Sequence, residues 1–346
     1  MDLFRRGPEL PPNAPRFTGA SGHVESYFLR ANDPSRPRAL WLKATILAPR
    51  DAPPVAETWL IWFDGDRTFA RKQTQPLRAE MFRATAAGAE VRIGEWALTL
   101  GDAGAGSGRV PSSEGDASFD LRWSRPASPV AAPLSIYPWR ALREGPFPKS
   151  KLLTPNPWLL FSGSVTVPSP SGEREVVPLD GWAGMAGHNW GREHAFEYAW
   201  GQCLFPAADG EPEAMVEGFS GRIRVAGRTS PRMSAAVVRR GAREFRFDRV
   251  FDFWRQEATL SPRRWTLRLA GPDAVMRLRM DATDRPLACL GYESPDRSMA
   301  YCFNSKLAEV LLEVHPRGEA PFTCRSAHGG ALELLRRERD PRIAVV

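Results

Sequence analysis

Short apolar runs separated by Pro and Gly make up most of the chain. "ALWLKATIL" (39–47) alternates: Leu40, Leu42, Ala44 and Ile46 fall on one face, and Trp41, Lys43, Thr45 and Leu47 on the other. "ETWLIWFDG" (57–65) is an apolar run closed by an Asp-Gly turn pair. "AEVRIGEWALTL", "ASFDLRWSR", "WLLFSGSVTV", "FEYAWGQCLF", "AMVEGFSGRIRVAG", "REFRFDRVFDFWR", "RWTLRLAG" and "AVMRLRMDA" continue the series. Two-residue periodicity at regular spacing, with turn residues between the runs, predicts an all-β sandwich or barrel. Helices are scarce: "QTQPLRAEMF" predicts one short turn, and "SKLAEVLLEV" fits helix or strand equally. With 32 Pro and 29 Gly, helix breakers reach nearly every segment. "GDAGAGSGRVPSSEGDAS" (101–118) reads as a flexible hairpin loop. No helix start or GK[ST] follows its glycines, so it makes a poor phosphate cradle.

At roughly 150 residues per domain, 346 residues predict two domains. The stretch 124–157 is rich in Pro, Ala and Ser, yet Tyr137, Trp139, Leu142 and Phe147 argue against a loose linker. It reads as an ordered crossover, with one β-barrel domain over 1–150 and a second over 151–346.

The net charge of +7 comes mostly from Arg spread along the chain with acids interleaved. That pattern describes a solvated surface, and no nucleic-acid-binding signature accompanies it. Cys203, Cys289, Cys302 and Cys324 are far apart and form no CxxC, which argues against a metal knuckle or a disulfide framework and for free thiols in a reducing cytoplasm. The start, "MDLFRRGPELPPNAPRFTG", lacks a signal-peptide core, and no apolar run is long enough to span a membrane. Transient membrane contact and the oligomeric state stay open.

Chemistry concentrates in "LDGWAGMAGHNWGREHAFEYAWGQC" (179–203), which interleaves imidazoles, indoles and small residues. His188 and His194 are six apart and do not form HExxH, so no metal site is expected. No GxSxG occurs, and Cys203 on an apolar strand reads as an inert thiol. General acid–base chemistry fits best. Asp180, His188 and Glu193 are the candidate catalytic groups, because burial beside tryptophans raises a carboxyl pKa and His titrates near neutrality. Asp180 also reads as the cap of an Asp-Gly turn, and Glu193 as a surface ion pair. Asn189, Trp190, Trp182, His194, Trp200 and Gln202 are the candidate substrate-binding residues. The expected chemistry is protonation of an alkene or carbonyl, with Trp190 and Trp200 stabilising the positive charge that develops. No cofactor is called for.

The same stretch resembles the carotenoid 1,2-hydratase-like and tocopherol-cyclase-like proteins, also called AttH-type or lipocalin-like. The resemblance rests on Gly187-His188-Asn189-Trp190-Gly191 followed by Trp200-Gly201-Gln202. It implies two lipocalin-like antiparallel barrels packed together and a hydrophobic isoprenoid- or polyene-type ligand. It also implies a cofactor-free hydration, cyclisation or isomerisation, with His188, Asn189 and Trp190 in the site and Asp180 as an acid. The alternative within that resemblance is a carrier that does no chemistry. The site is expected at the junction of the two halves.

Overall fold

The computed structural model describes residues 10–346 apart from 114, 170, 226–227 and 250–253. Parts of the expected amino-terminal segment and of the runs "AMVEGFSGRIRVAG" and "REFRFDRVFDFWR" therefore lie outside the described residues. The first half holds β1 (His23–Asn32), β2 (Arg38–Ala48), β3 (Val55–Asp64), β4 (Arg67–Pro76), β5 (Phe82–Thr85) and β6 (Gly88–Ile93). It continues with β7 (Trp96–Leu100), β8 (Ala103–Val110), β9 (Ala117–Ser124), β10 (Ser150–Pro168), β11 (Arg174–Pro178) and β12 (Trp182–Gly191). The second half holds β13 (Glu197–Pro206), β14 (Pro212–Arg222), β15 (Arg224–Val225), β16 (Arg228–Thr229), β17 (Met233–Arg240) and β18 (Arg243–Phe247). It ends with β19 (Glu257–Ser261), β20 (Arg264–Ala270), β21 (Ala274–Asp281), β22 (Ala288–Glu293), β23 (Met299–Pro316) and β24 (Phe322–Arg336).

All pairings within the sheets are antiparallel. One sheet runs β4-β3-β2-β1-β12-β10-β9-β8-β7-β6-β5, with β11 on β10. The other runs β18-β17-β14-β13-β24-β23-β21-β20-β19, with β22 on β23. The fold is thus nearly all β, as two packed lipocalin-like units. The ambiguous "SKLAEVLLEV" is strand, inside β23, and the glycine-rich stretch expected as a loop supplies β8. The glycines of β8 are needed for space: a Cβ at Gly104 or Gly106 would run into Trp123 or Leu98.

The change of sheet falls downstream of the expected boundary. Strands β10 to β12 belong to the first sheet, so the chain passes to the second between Gly191 and Glu197, not near residue 150. The GHNWG motif accordingly ends the first unit. The expected crossover is ordered, with short helices at Pro129–Ala131 and Arg140–Glu144. Arg239 from β17 donates to the carbonyl of Pro133 at 3.1 Å, and Tyr137 Oη donates to that of Ser150 at 3.0 Å.

Burial patterns show which strands face what. β8 and β9 alternate buried and less buried positions, as a sheet with one wet face does. β1, β2 and β3 are buried along nearly their whole length. One face of these strands packs into the first core, through Tyr27, Leu29, Leu40, Leu42, Leu60 and Trp62. The other face meets the second sheet in a separate layer that includes Phe28, Trp41, Trp59, Trp200, Leu290 and Tyr292. Because successive side chains point to opposite faces, the polar side chains on that other face of β1 and β2 are sealed between the two sheets. Arg30, Lys43, Glu217, Lys306 and Glu333 are all buried.

Candidate active site

A cavity of about 810 Å³ lies between the two sheets. Its walls include Phe28, Trp41, Tyr198, Trp200, Phe219 and Tyr292, and Tyr137, Leu142 and Phe147 of the crossover line it too. Lys43 and Glu333 also line it.

Lys43 comes from the middle of β2. Its neighbours Leu42 and Ala44 turn into the first core, so Lys43 turns toward the second sheet. It is only 3% exposed. Its Nζ sits 3.8 Å from the centre of the Tyr292 ring, with Trp41 and Trp59 at 5.8 and 5.9 Å. Burial pushes its pKa down to about 8, opposed by the Glu333 carboxylate. Glu333 accepts a 2.5 Å hydrogen bond from Lys306 Nζ. Burial alone would raise the Glu333 carboxyl, but the charge and hydrogen bond of Lys306 outweigh it and hold it below the usual range. Tyr198 Oη lies 3.8 Å from Cys302 Sγ. Burial drives the phenols of Tyr198 and Tyr292 well above their ordinary pKa, so both stay protonated donors. His194 stacks on Tyr292 at 5.2 Å, and burial, then Lys43, push it down to about 3, which keeps it neutral.

Behind the wall, Glu217 accepts from Thr154 Oγ1 at 2.8 Å and from Trp200 Nε1 and Gln202 Nε2 at 3.4 Å. Burial pushes its carboxyl up to about 7 against these hydrogen bonds. The folded state therefore holds a proton that the unfolded chain releases above about 4.5, so stability falls as pH rises from about 4.5 to about 7 and levels off beyond. Glu217→Gln, which removes the charge, should raise the melting temperature at about pH 8 and change it little at about pH 4. Thermal denaturation at the two pH values checks this.

The residues singled out in the sequence divide between two faces of one strand. In β12, Trp182 and Ala186 pack in the first core, whereas Met185 packs between the sheets. His188 lies on the first-core side and is fully buried. Its Nε2 donates to Glu25 Oε1 at 2.8 Å and its Nδ1 to the carbonyl of Pro12 at 2.9 Å, and its ring stacks on Tyr27 at 4.4 Å. His188 thus anchors the amino-terminal segment and does not line the cavity. Trp182 stacks on Trp62 at 5.9 Å inside the first core. Asp180 is exposed, in a turn where Gly181 takes φ +66°, and it too is outside the cavity. Gln202 is buried, accepts from Arg30 Nη2 at 2.7 Å, and does not line the cavity. Asn189, Trp190, Glu193, His194 and Trp200 do line it. Glu193 pairs with Lys149 at 3.1 Å, and Trp190 carries the Arg16 guanidinium 5.1 Å from its ring centre. Sequence reasoning missed Lys43, Tyr198, Tyr292, Lys306 and Glu333. The available signal was a lone charge inside an apolar strand, as in "ALWLKATIL" and "GALELLRR", because a buried charge must be paired or used.

No family model matches the chain. The uncharacterized protein Rv0493c of Mycobacterium tuberculosis is 28% identical over 316 residues, 88% of this chain and 84% of its own. Among solved structures, CghA superposes with a TM-score of 0.60 at 11% identity, over 95% of each chain. Kievitone hydratase from Nectria haematococca gives 0.56 at 12% identity, over 97% of this chain and 94% of its own. An AttH-type protein from Nitrosomonas europaea gives 0.50 at 16% identity, over 96% of this chain and all of its own. The chain has the two-unit, lipocalin-like fold of these proteins.

Proposed function

We propose that the chain is a cofactor-free enzyme that binds a hydrophobic small molecule between its two sheets and catalyses an acid-assisted hydration, cyclisation or isomerisation. The observation that carries the reading is Lys43, an amine with a pKa of about 8 set among aromatic rings at the wall of the cavity. A proton donor works best when its pKa lies near the working pH. Glu333, kept ionised by Lys306, lines the same cavity and supplies a base. In a hydration, Glu333 takes a proton from water as the water oxygen bonds to one carbon of a polarised double bond. Lys43 gives a proton to the other end of the system. Return of the proton from Glu333 to Lys43 through solvent restores both, and the net change is addition of one water. The likeness in fold to kievitone hydratase, and to CghA, which has also been solved with Sch210972, supports small-molecule chemistry on this scaffold.

The test is to recover the ligand by native mass spectrometry of the protein purified from its own host. The ligand is then incubated with pure protein in D₂O and in H₂¹⁸O. Enzyme-dependent gain of carbon-bound deuterium or of ¹⁸O is expected. A ligand returned unlabelled overturns the enzyme reading in favour of a carrier.

A further inference from the structure

One ammonium at the cavity wall has no hydrogen-bonded anion among the described residues. Lys306 and Glu333 neutralise one another at 2.5 Å. Lys72 and Glu57 do the same at 2.5 Å. Lys43 remains: among the described residues no acceptor lies within hydrogen-bond range of its Nζ, which is held only by the faces of Tyr292, Trp41 and Trp59. A second lining ammonium, Lys151, donates at 2.6 Å to the neutral carbonyl of Leu142 and, among the described residues, is paired with no carboxylate. A buried ammonium without an anion is costly, and ring faces and a neighbouring ion pair offset only part of that cost. Lys43 thus presents a positive charge with no hydrogen-bonded anion to whatever occupies the cavity beside it. Such a field disfavours a carbocation and favours negative charge on oxygen.

We infer that the ligand carries an ionisable oxygen (a carboxylate, enolate or phenolate) on an otherwise apolar or aromatic body, with Lys43 as its counter-ion. The inference rests on the cavity reading above and deepens it by naming the substrate class. It also replaces the expected stabilisation of a carbocation by Trp190 and Trp200 with stabilisation of a developing oxyanion by Lys43.

The experiment compares 2-naphthoate with its neutral methyl ester, two probes of the same ring, by fluorescence titration. The acid should bind wild-type protein at least about tenfold more tightly than the ester, as charge-assisted hydrogen bonds allow. Lys43→Met should abolish that preference while keeping ester binding, and Lys43→Arg should retain it. In wild-type protein the preference should be full at about pH 6 and fade above about pH 8, as the Lys43 ammonium loses its proton. The other groups around Lys43 do not reproduce this pattern. His194 is already neutral at both pH values, the Tyr292 phenol and Cys302 thiol stay protonated, and Glu333 stays ionised. Glu217 does titrate near 7 but sits behind Trp200, and Lys151, which titrates near 8, is separated by the Lys43→Met variant. Equal affinity for acid and ester in wild type, or a preference that survives in Lys43→Met, overturns the inference and leaves the cavity reading standing. Failure of both probes to bind wild type overturns both.

Discussion

Lys43→Met is expected to lower turnover at least about a hundredfold, within the 10²- to 10⁴-fold range typical of a general acid. Methionine keeps the length and apolar stem of the lysine but has no proton to give and no charge to offer an oxyanion. The wild-type rate should also fall above about pH 8, because only the protonated amine can act, and burial sets that pKa. Tyr292→Asn should be harmful in both binding and rate, since it removes the ring on which the ammonium rests at 3.8 Å. Asp180→Asn should leave turnover unchanged, because that carboxyl is exposed and outside the cavity. Steady-state kinetics on the recovered ligand decide among these. A Lys43→Met enzyme with near wild-type turnover would remove Lys43 from the mechanism.

Glu25→Ala is expected to destabilise the fold by about 3 kcal/mol or more, because several buried or half-buried donors lose their shared acceptor at once. Glu25 is fully buried and accepts from His188 Nε2, His23 Nε2, Tyr27 Oη and the Arg16 amide, at 2.8 to 3.1 Å. Removing it leaves these donors facing nothing. Burial by itself would raise the Glu25 carboxyl, but the hydrogen bonds from His188 and His23 outweigh it and hold it far below the ordinary carboxylate range. With the folded pKa depressed, its contribution to stability is present above about pH 4.5 and is lost as pH falls toward the folded value. Glu25→Gln should therefore lose stability at neutral pH and show a shallower acid limb than wild type. Urea denaturation between about pH 3 and pH 7 measures both effects. His188→Ala should likewise cost stability, and the folded fraction should keep its ligand affinity. If it instead abolished turnover with stability intact, His188 would return as a catalytic group.

The GHNWG stretch shows how far a sequence reading reaches. Its functional side chains fall on β12, which contributes Asn189 and Trp190 to the cavity wall and His188 to a buried anchor. A local reading, however, assigned neighbouring residues to one site. Along a strand, adjacent side chains point to opposite faces. His188 therefore went to Glu25 in the first core while Asn189 went to the cavity. Trp182 and Trp200 look alike in sequence, yet one packs on Trp62 and the other packs edge-on against Phe28 across the interface.

Local chemistry along the chain determined the β class, the turns and the strand alternation, since these depend on neighbouring residues and on a two-residue period. The same pattern showed that Leu40 and Lys43 lie on opposite faces of one strand. Only the tertiary structure decided that the Lys43 face is also buried. That burial comes from β22, β23 and β24, some 250 residues further along the chain, which bring Tyr292, Lys306 and Glu333 to it. A lysine on an apparent polar face looks solvated until a second sheet closes over it. The low pKa of Lys43 and its lack of a hydrogen-bonded anion arise from that closure, and no local pattern records it.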